Sequence, residues 1–214
     1  MGQRAANGII RERSFQHPDH NIFVQFPEKW QIQNTPKRVA AVAPDGGAAV
    51  VLGAVAEGTD PLDGARAIEA ASKTAVVTHA KSTRIGNLPA ARAVLEGDAK
   101  VKIDLTWIAH AGLVYQIAGF APRTGFATIR PAFDSVAQSF RPLSPEERDA
   151  IREKRLRLVK AHAGERLESL IARSNSSWQE KQTAIVNGLV GTEPLNEGQI
   201  IKIVVAEPYV PKTR

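Results

Sequence analysis

Five histidines, His17, His20, His79, His110 and His162, are the first residues to test for chemistry. A zinc-dependent peptidase needs two of them one helical turn apart, with a general-base glutamate beside the first. None lies in that pattern. His17-Pro18-Asp19-His20 is the one cluster. Its proline favours a turn, and a metal there would need a further ligand from elsewhere, so the segment reads as an exposed polar loop. Gly-x-Ser-x-Gly is absent, so no nucleophile elbow is visible, and neither is a phosphate loop. Glu146-Glu147 stands at a predicted helix start, where carboxylates favour the helix dipole. The chain has no cysteine, which removes thiol catalysis, zinc ribbons and disulfides together.

The elements that would position any site divide into two grammars. In the first, Phe23-Val24-Gln25-Phe26 and Trp30-Gln31-Ile32-Gln33 alternate apolar and polar residues, the mark of an antiparallel sheet with one wet face. Residues 39–42 and 48–56 predict a hairpin across Pro44-Asp45-Gly46-Gly47. Asp60-Pro61 opens a helix carrying Leu62, Ala65, Ile68 and Ala71. Strands resume at 79–85 and 91–95, the latter closed by Glu96-Gly97-Asp98, and residues 101–110 and 113–120 pair across Ala111-Gly112. A helix over 126–140 shows a stripe of Ile129, Phe133, Val136 and Phe140, with Pro131 expected in its first turn. Runs of strands with few helices predict an α+β class, an antiparallel sheet with packed helices.

The second grammar begins after a linker helix expected over 144–154, opened by the capping box of Ser144 and Glu147. Residues 155–159 read as a strand, and Leu167, Leu170, Ile171 and Ser174 as one helical face. Ser177 and Glu180 form a second capping box, and Asn187-Gly188 ends that helix. After a loop at 191–198, residues 199–204 close the module, whose order β-α-α-β requires its two strands to pair. The boundaries are 1–143 for the sheet domain, 144–154 for the linker, 155–205 for the module and 206–214 for a loose tail.

The module resembles LysM in Gly164-Glu165-Arg166-Leu167, Leu170-Ile171-Ala172, Asn187 and Leu195-Asn196-Glu197-Gly198-Gln199-Ile200-Ile201-Lys202-Ile203. The resemblance implies a shallow groove for N-acetylglucosamine polymers, made by Gly164, Glu165, Arg166, Leu167, Asn187, Gly188 and Leu189. Two departures fall in it: Glu165 and Arg166 replace the family's Asp and Thr. The first domain resembles the PsbP-like α/β sandwiches in Phe26-Pro27-Glu28-Lys29-Trp30, the long hairpin and a final helix ending Gln138-Ser139-Phe140. With the segment from Gly8 to Pro18 ahead of it, the pair resembles the C-terminal region of HtpX-like periplasmic zinc metallopeptidases. That resemblance implies a periplasmic, non-catalytic accessory segment for docking or wall association. It places the zinc in an upstream catalytic domain and expects no cofactor in this chain. A stand-alone peptidoglycan-binding protein, and an enzyme with an unrecognised site, stay open.

A net charge of +6 favours acidic partners such as wall polymers or membrane surfaces. Nucleic acid is not expected, because the basic run Arg152-Glu153-Lys154-Arg155-Leu156-Arg157 lacks interleaved aromatics. Peptidoglycan or an envelope protein is the expected partner. No apolar stretch reaches the ~18 residues of a membrane span. Residues 1–8 lack the apolar core of a signal peptide, so the expectation is either a cytosolic protein or a targeting signal further upstream.

Overall fold

A computed structural model describes residues 5–71, 77, 79–96, 100–189 and 193–211. The chain forms two compact units, Met1–Ser144 and Pro145–Val210. It is sheet-rich α+β, and every paired strand is antiparallel among the described residues.

The first unit starts with a 3-10 turn, Ala5–Asn7, and a three-stranded meander of β1 (Ile9–Arg11), β2 (Ser14–His17) and β3 (Ile22–Gln25). A seven-stranded sheet follows, of β4 (Gln31–Asn34), β5 (Val39–Val42), β6 (Ala49–Glu57), β7 (Lys81–Ile85), β8 (Leu88–Glu96), β9 (Val101–His110) and β10 (Leu113–Pro122). Its spatial order is β4-β5-β6-β10-β9-β8-β7. Two helices accompany it, α1 (Asp63–Ala71) and α2 (Phe126–Gln138). Ala111 and Gly112 join β9 to β10 with φ of 50° and 77°, the left-handed pair that a two-residue hairpin turn demands.

The central strands depart from the one-wet-face expectation. Between Asp104 and Ala109 every residue of β9 is buried. Ile108, Tyr115 and Ile117 pack with Phe126, Phe133 and Val136 of α2 and with Val24 and Phe26 from the meander. The alternate residues Leu105, Trp107, Val114 and Ala118 pack with Ala65 and Ile68 of α1. The sheet is covered on both faces, by α2 and the meander on one and by α1 on the other. A Cβ on Gly119 would stand 2.4 Å from Phe133, and one on Gly64 2.0 Å from Trp107, so both helices approach at glycine-only distance.

Two helix starts differ from expectation. Pro131 is the sixth residue of α2, not part of its first turn. The helix extends back because doing so buries Phe126 against the core, which outweighs the hydrogen bond that proline forfeits. Asp60-Pro61 forms a turn ahead of α1, where Asp60 accepts from Leu62 N–H at 3.0 Å. Strand β8 begins at Leu88, so Gly86-Asn87 alone makes the turn and Pro89 lies in the ladder.

The second unit contains α3 (Pro145–Asp149), β11 (Arg152–Lys160), α4 (Leu167–Arg173), α5 (Glu180–Asn187) and β12 (Ile200–Pro208). β11 and β12 pair along their whole lengths, and Leu167, Leu170, Leu195, Ile201 and Ile203 fill the core beneath the helices. The expected linker helix over 144–154 shrinks to α3, since Arg152, Glu153 and Lys154 pair with Pro208, Glu207 and Ala206. The tail drawn at 206–214 is likewise ordered as far as Tyr209, whose N–H donates to Ile151 O at 3.0 Å. Ser177 caps nothing: α5 begins at Glu180 after Gln179 without a side-chain cap, and Ser177 N–H donates to Val204 O at 2.6 Å. Gly97, Asp98, Gly191, Thr192 and residues 212–214 lie outside the described residues.

Candidate functional site

The chain that makes the C-terminal groove is held by three residues that were candidates for contacting a ligand. Gly164 (φ 69°) turns the chain after β11, and its N–H donates to Leu195 O at 3.1 Å. Glu165 faces away, into an ion pair. Its Oε1 accepts from Arg173 Nε at 2.5 Å, and its Oε2 accepts from another Arg173 N–H at 2.8 Å and from His162 N–H at 3.0 Å. The same Arg173 donates to Lys160 O at 2.8 Å, so one guanidinium fastens the turn to β11 and α4. The Arg173 hydrogen bonds, then the His162 N–H, hold the Glu165 carboxyl at about 2, against opposing desolvation.

Asn187 is also spent internally. Its amide accepts from Lys202 N–H at 2.7 Å and donates to Lys202 O at 2.8 Å, pairing with β12 as a strand residue would. Gly188 (φ 63°) then ends α5, and Leu189 N–H closes the turn on Ala184 O at 3.0 Å.

The other four candidates come together. Arg166 and Leu167 on one side and Gly188 and Leu189 on the other line a groove of about 430 Å³. The reading of the sequence missed Glu168 and Glu180 on the helices and Glu193 and Pro194 in the loop, all of which share the groove. Leu195, Asn196 and Gln199, noted only as a closing motif, complete it. Arg166 occupies the N-cap of α4 without a capping bond. Three carboxylates and one guanidinium make the groove acidic within a basic chain, while Leu167, Leu189 and Leu195 give it an apolar floor.

The first unit offers other features. A second groove, about 610 Å³, is mainly apolar and lies between Trp30, Pro44, Ala121, Pro122 and Ile129. On the α2 face of the sheet, Arg92 donates to Thr106 at 3.0 Å and pairs with Asp134, while Arg130 donates to buried Asp104 at 2.9 Å. Burial pushes the Asp104 carboxyl up, against the pull of Arg92 and Arg130. With two guanidiniums enclosing it, this carboxyl is a packed ion network rather than an open acid. The His17–His20 segment is half-buried, not an exposed loop. The two imidazoles stand 4.1 Å apart, and His20 Nδ1 shares a 2.7 Å hydrogen bond with Tyr115. No group of three or more His, Asp or Glu is placed to hold a metal among the described residues.

No protein-family model matches the chain, and no curated protein matches it. Among solved structures, it is similar to the cyanobacterial PsbP protein of Synechocystis sp. PCC 6803, at 14% identity and TM-score 0.48, over 67% of this chain and 99% of that one. A Bacteroides thetaiotaomicron protein aligns at 14% identity and TM-score 0.44 over 79% of this chain, which spans 59% of the length of that protein. LpqN of Mycobacterium tuberculosis, a protein involved in cell envelope biogenesis, aligns at 14% identity and TM-score 0.36, over 56% of this chain and 81% of that one.

Proposed function

We propose that this chain is a non-catalytic docking segment of a periplasmic protein, and that the C-terminal groove holds an N-acetylated wall glycan. One observation carries the reading: Arg166-Leu167 and Gly188-Leu189 meet across a single groove, at the junction that the LysM resemblance implies. The groove chemistry suits an uncharged sugar. Leu189, half-buried, offers apolar surface to a pyranose face, and Asn196, Gln199 and the glutamates hydrogen-bond hydroxyl and acetamido groups. Three carboxylates against one guanidinium disfavour a phosphate-bearing polymer there, despite the overall positive charge.

A PsbP-like unit ahead of a LysM-like module fits the C-terminal end of an HtpX-like zinc metallopeptidase, whose zinc would belong to a preceding domain. The gene's upstream reading frame separates that form from a stand-alone wall-binding protein, since an H-E-x-x-H helix is present or absent there.

The direct experiment sediments the full chain with insoluble peptidoglycan at low salt and at about 0.5 M salt, where the screening length falls to a few Å. Retention at high salt, with displacement by soluble chito-oligosaccharides, supports the groove. Arg166→Thr then tightens binding several-fold, because the hydroxyl caps α4 and clears the sugar's path. Loss of pelleting at high salt, or none at either, defeats the glycan reading.

A further inference from the structure

The β11–β12 ribbon has a second side. Its inner face carries Val159, Ile201, Ile203 and Val205 against the helices. The acidic residues of the ribbon, Glu153 and Glu207, share the inner register, where they pair with Arg155 and Arg157. The outer face takes five alternate residues from each strand. Leu156, Leu158 and Ile200 there are 53%, 64% and 58% exposed, a concentration of bare aliphatic surface that a two-stranded ribbon does not need for its own stability. Val204, opposite Leu156, is buried and adds nothing to the exposed patch. Arg152, Lys154, Lys160 and Lys202 stand around the aliphatics on the same face, all exposed. No acidic residue occurs at any position of this face.

We propose that this face rests on a lipid bilayer that carries anionic headgroups. Two features favour lipid over a protein partner. Ten residues are few against the roughly 20–30 a side that a stable protein interface uses. Protein interfaces are also enriched in aromatic residues and depleted in lysine, the reverse of this surface. A bilayer rewards both halves of the pattern. Lysine stems run along the apolar surface while their ammonium groups reach phosphates, and leucine and isoleucine enter the acyl boundary. Acidic polymers in solution would reward the cations but not the leucines. The face is on the opposite side of the ribbon from α4 and α5, so its occupation is independent of the glycan groove.

The test sediments the full chain with vesicles of phosphatidylcholine alone or with about one-third phosphatidylglycerol, at the ionic strength where surface potential still acts. Binding to the mixed vesicles, at least about tenfold above the neutral ones, is expected. Leu158→Ser with Ile200→Ser should weaken it about tenfold or more, and Lys154→Glu with Lys202→Glu should abolish it. All four side chains are exposed, so thermal unfolding of both variants should match the parent. Peptidoglycan pelleting by these variants should also be unchanged, while Arg166→Thr should leave vesicle binding alone. Absence of vesicle binding overturns the proposal. So does binding that the serine pair leaves intact, which is adsorption by charge only. Concentration-dependent dimerisation lost in the serine pair would overturn it in favour of a second copy of the chain.

Discussion

At the scale of single residues, the site candidates divide by where their polar atoms are used. Glu165 was legible as a departure from a binding motif, but its partner was not, because nothing in the local pattern singles out Arg173 eight residues on. The ion pair makes a pH prediction. Glu165 titrates near 4.5 when unfolded and at about 2 when folded. The proton therefore binds the unfolded chain first, and the contribution of this residue is complete above 4.5 and fades between 4.5 and 2. Glu165→Gln should lower the thermal midpoint of the C-terminal unit at pH 7 and flatten its decline over that window. An unchanged acid profile would show that the pair contributes nothing. Gly119 gives a second test. Since its Cβ would collide with the Phe133 ring at 2.4 Å, Gly119→Ala should cost about 1–3 kcal/mol in urea titrations. Adding Phe133→Leu should make the alanine cheaper, a coupling that a purely local strand effect would not produce.

At the scale of elements, patterning was legible wherever one residue's neighbours decide its state. The β9–β10 hairpin follows from alternation plus Ala111-Gly112, and the end of α5 from Asn187-Gly188. The failures came where a distant contact outweighed a local signal. Ser177 and Glu180 have the spacing of a capping box, yet the Ser177 N–H is claimed by Val204 in β12. Pro131 signals a helix start, yet Phe126 gains more from burial than the proline costs. The second covered face of the sheet was invisible because Trp107 and Ile108 are adjacent apolar residues whose partners, α1 and α2, lie far along the chain. Asn187 shows the same coupling in a positive sense, since its amide stands in for a strand beside Lys202. Asn187→Ala should detach α5 from β12 and cost about 1–2 kcal/mol, leaving the carbonyl and N–H of Lys202 to solvent. Amide exchange at Lys202 should accelerate; if it stays protected, the side chain is not what shields it.

For the whole molecule, composition announced a chain able to form a core, and the change of grammar near Ser144 announced two parts. What composition missed was the contrast of charge: a basic chain whose C-terminal groove is acidic and whose outer ribbon face is cationic. Opposite patches on one small unit arise from register, which sums over residues cannot express. Each unit has its own apolar core, and α3, which opens the second unit, buries no residue. Trypsin should therefore cut first at Arg148, releasing an N-terminal product that mass spectrometry places at the α3 boundary. Initial cleavage inside β4–β10 would contradict that division.

The order of strands also sets the order of events during folding. Every neighbour in the seven-stranded sheet is adjacent in sequence except β6 and β10, so β4-β5-β6 and β7-β8-β9-β10 are two meanders joined by one seam. Meanders form from short loops, but the seam must first close the span from residue 58 to 112, and that entropy is lost before any seam contact returns it. The seam is then the slow step. Leu52→Ala, in β6 opposite Ile117, should lengthen the refolding time in stopped-flow experiments. Ile85→Ala, at the far end of the second meander, should chiefly hasten unfolding.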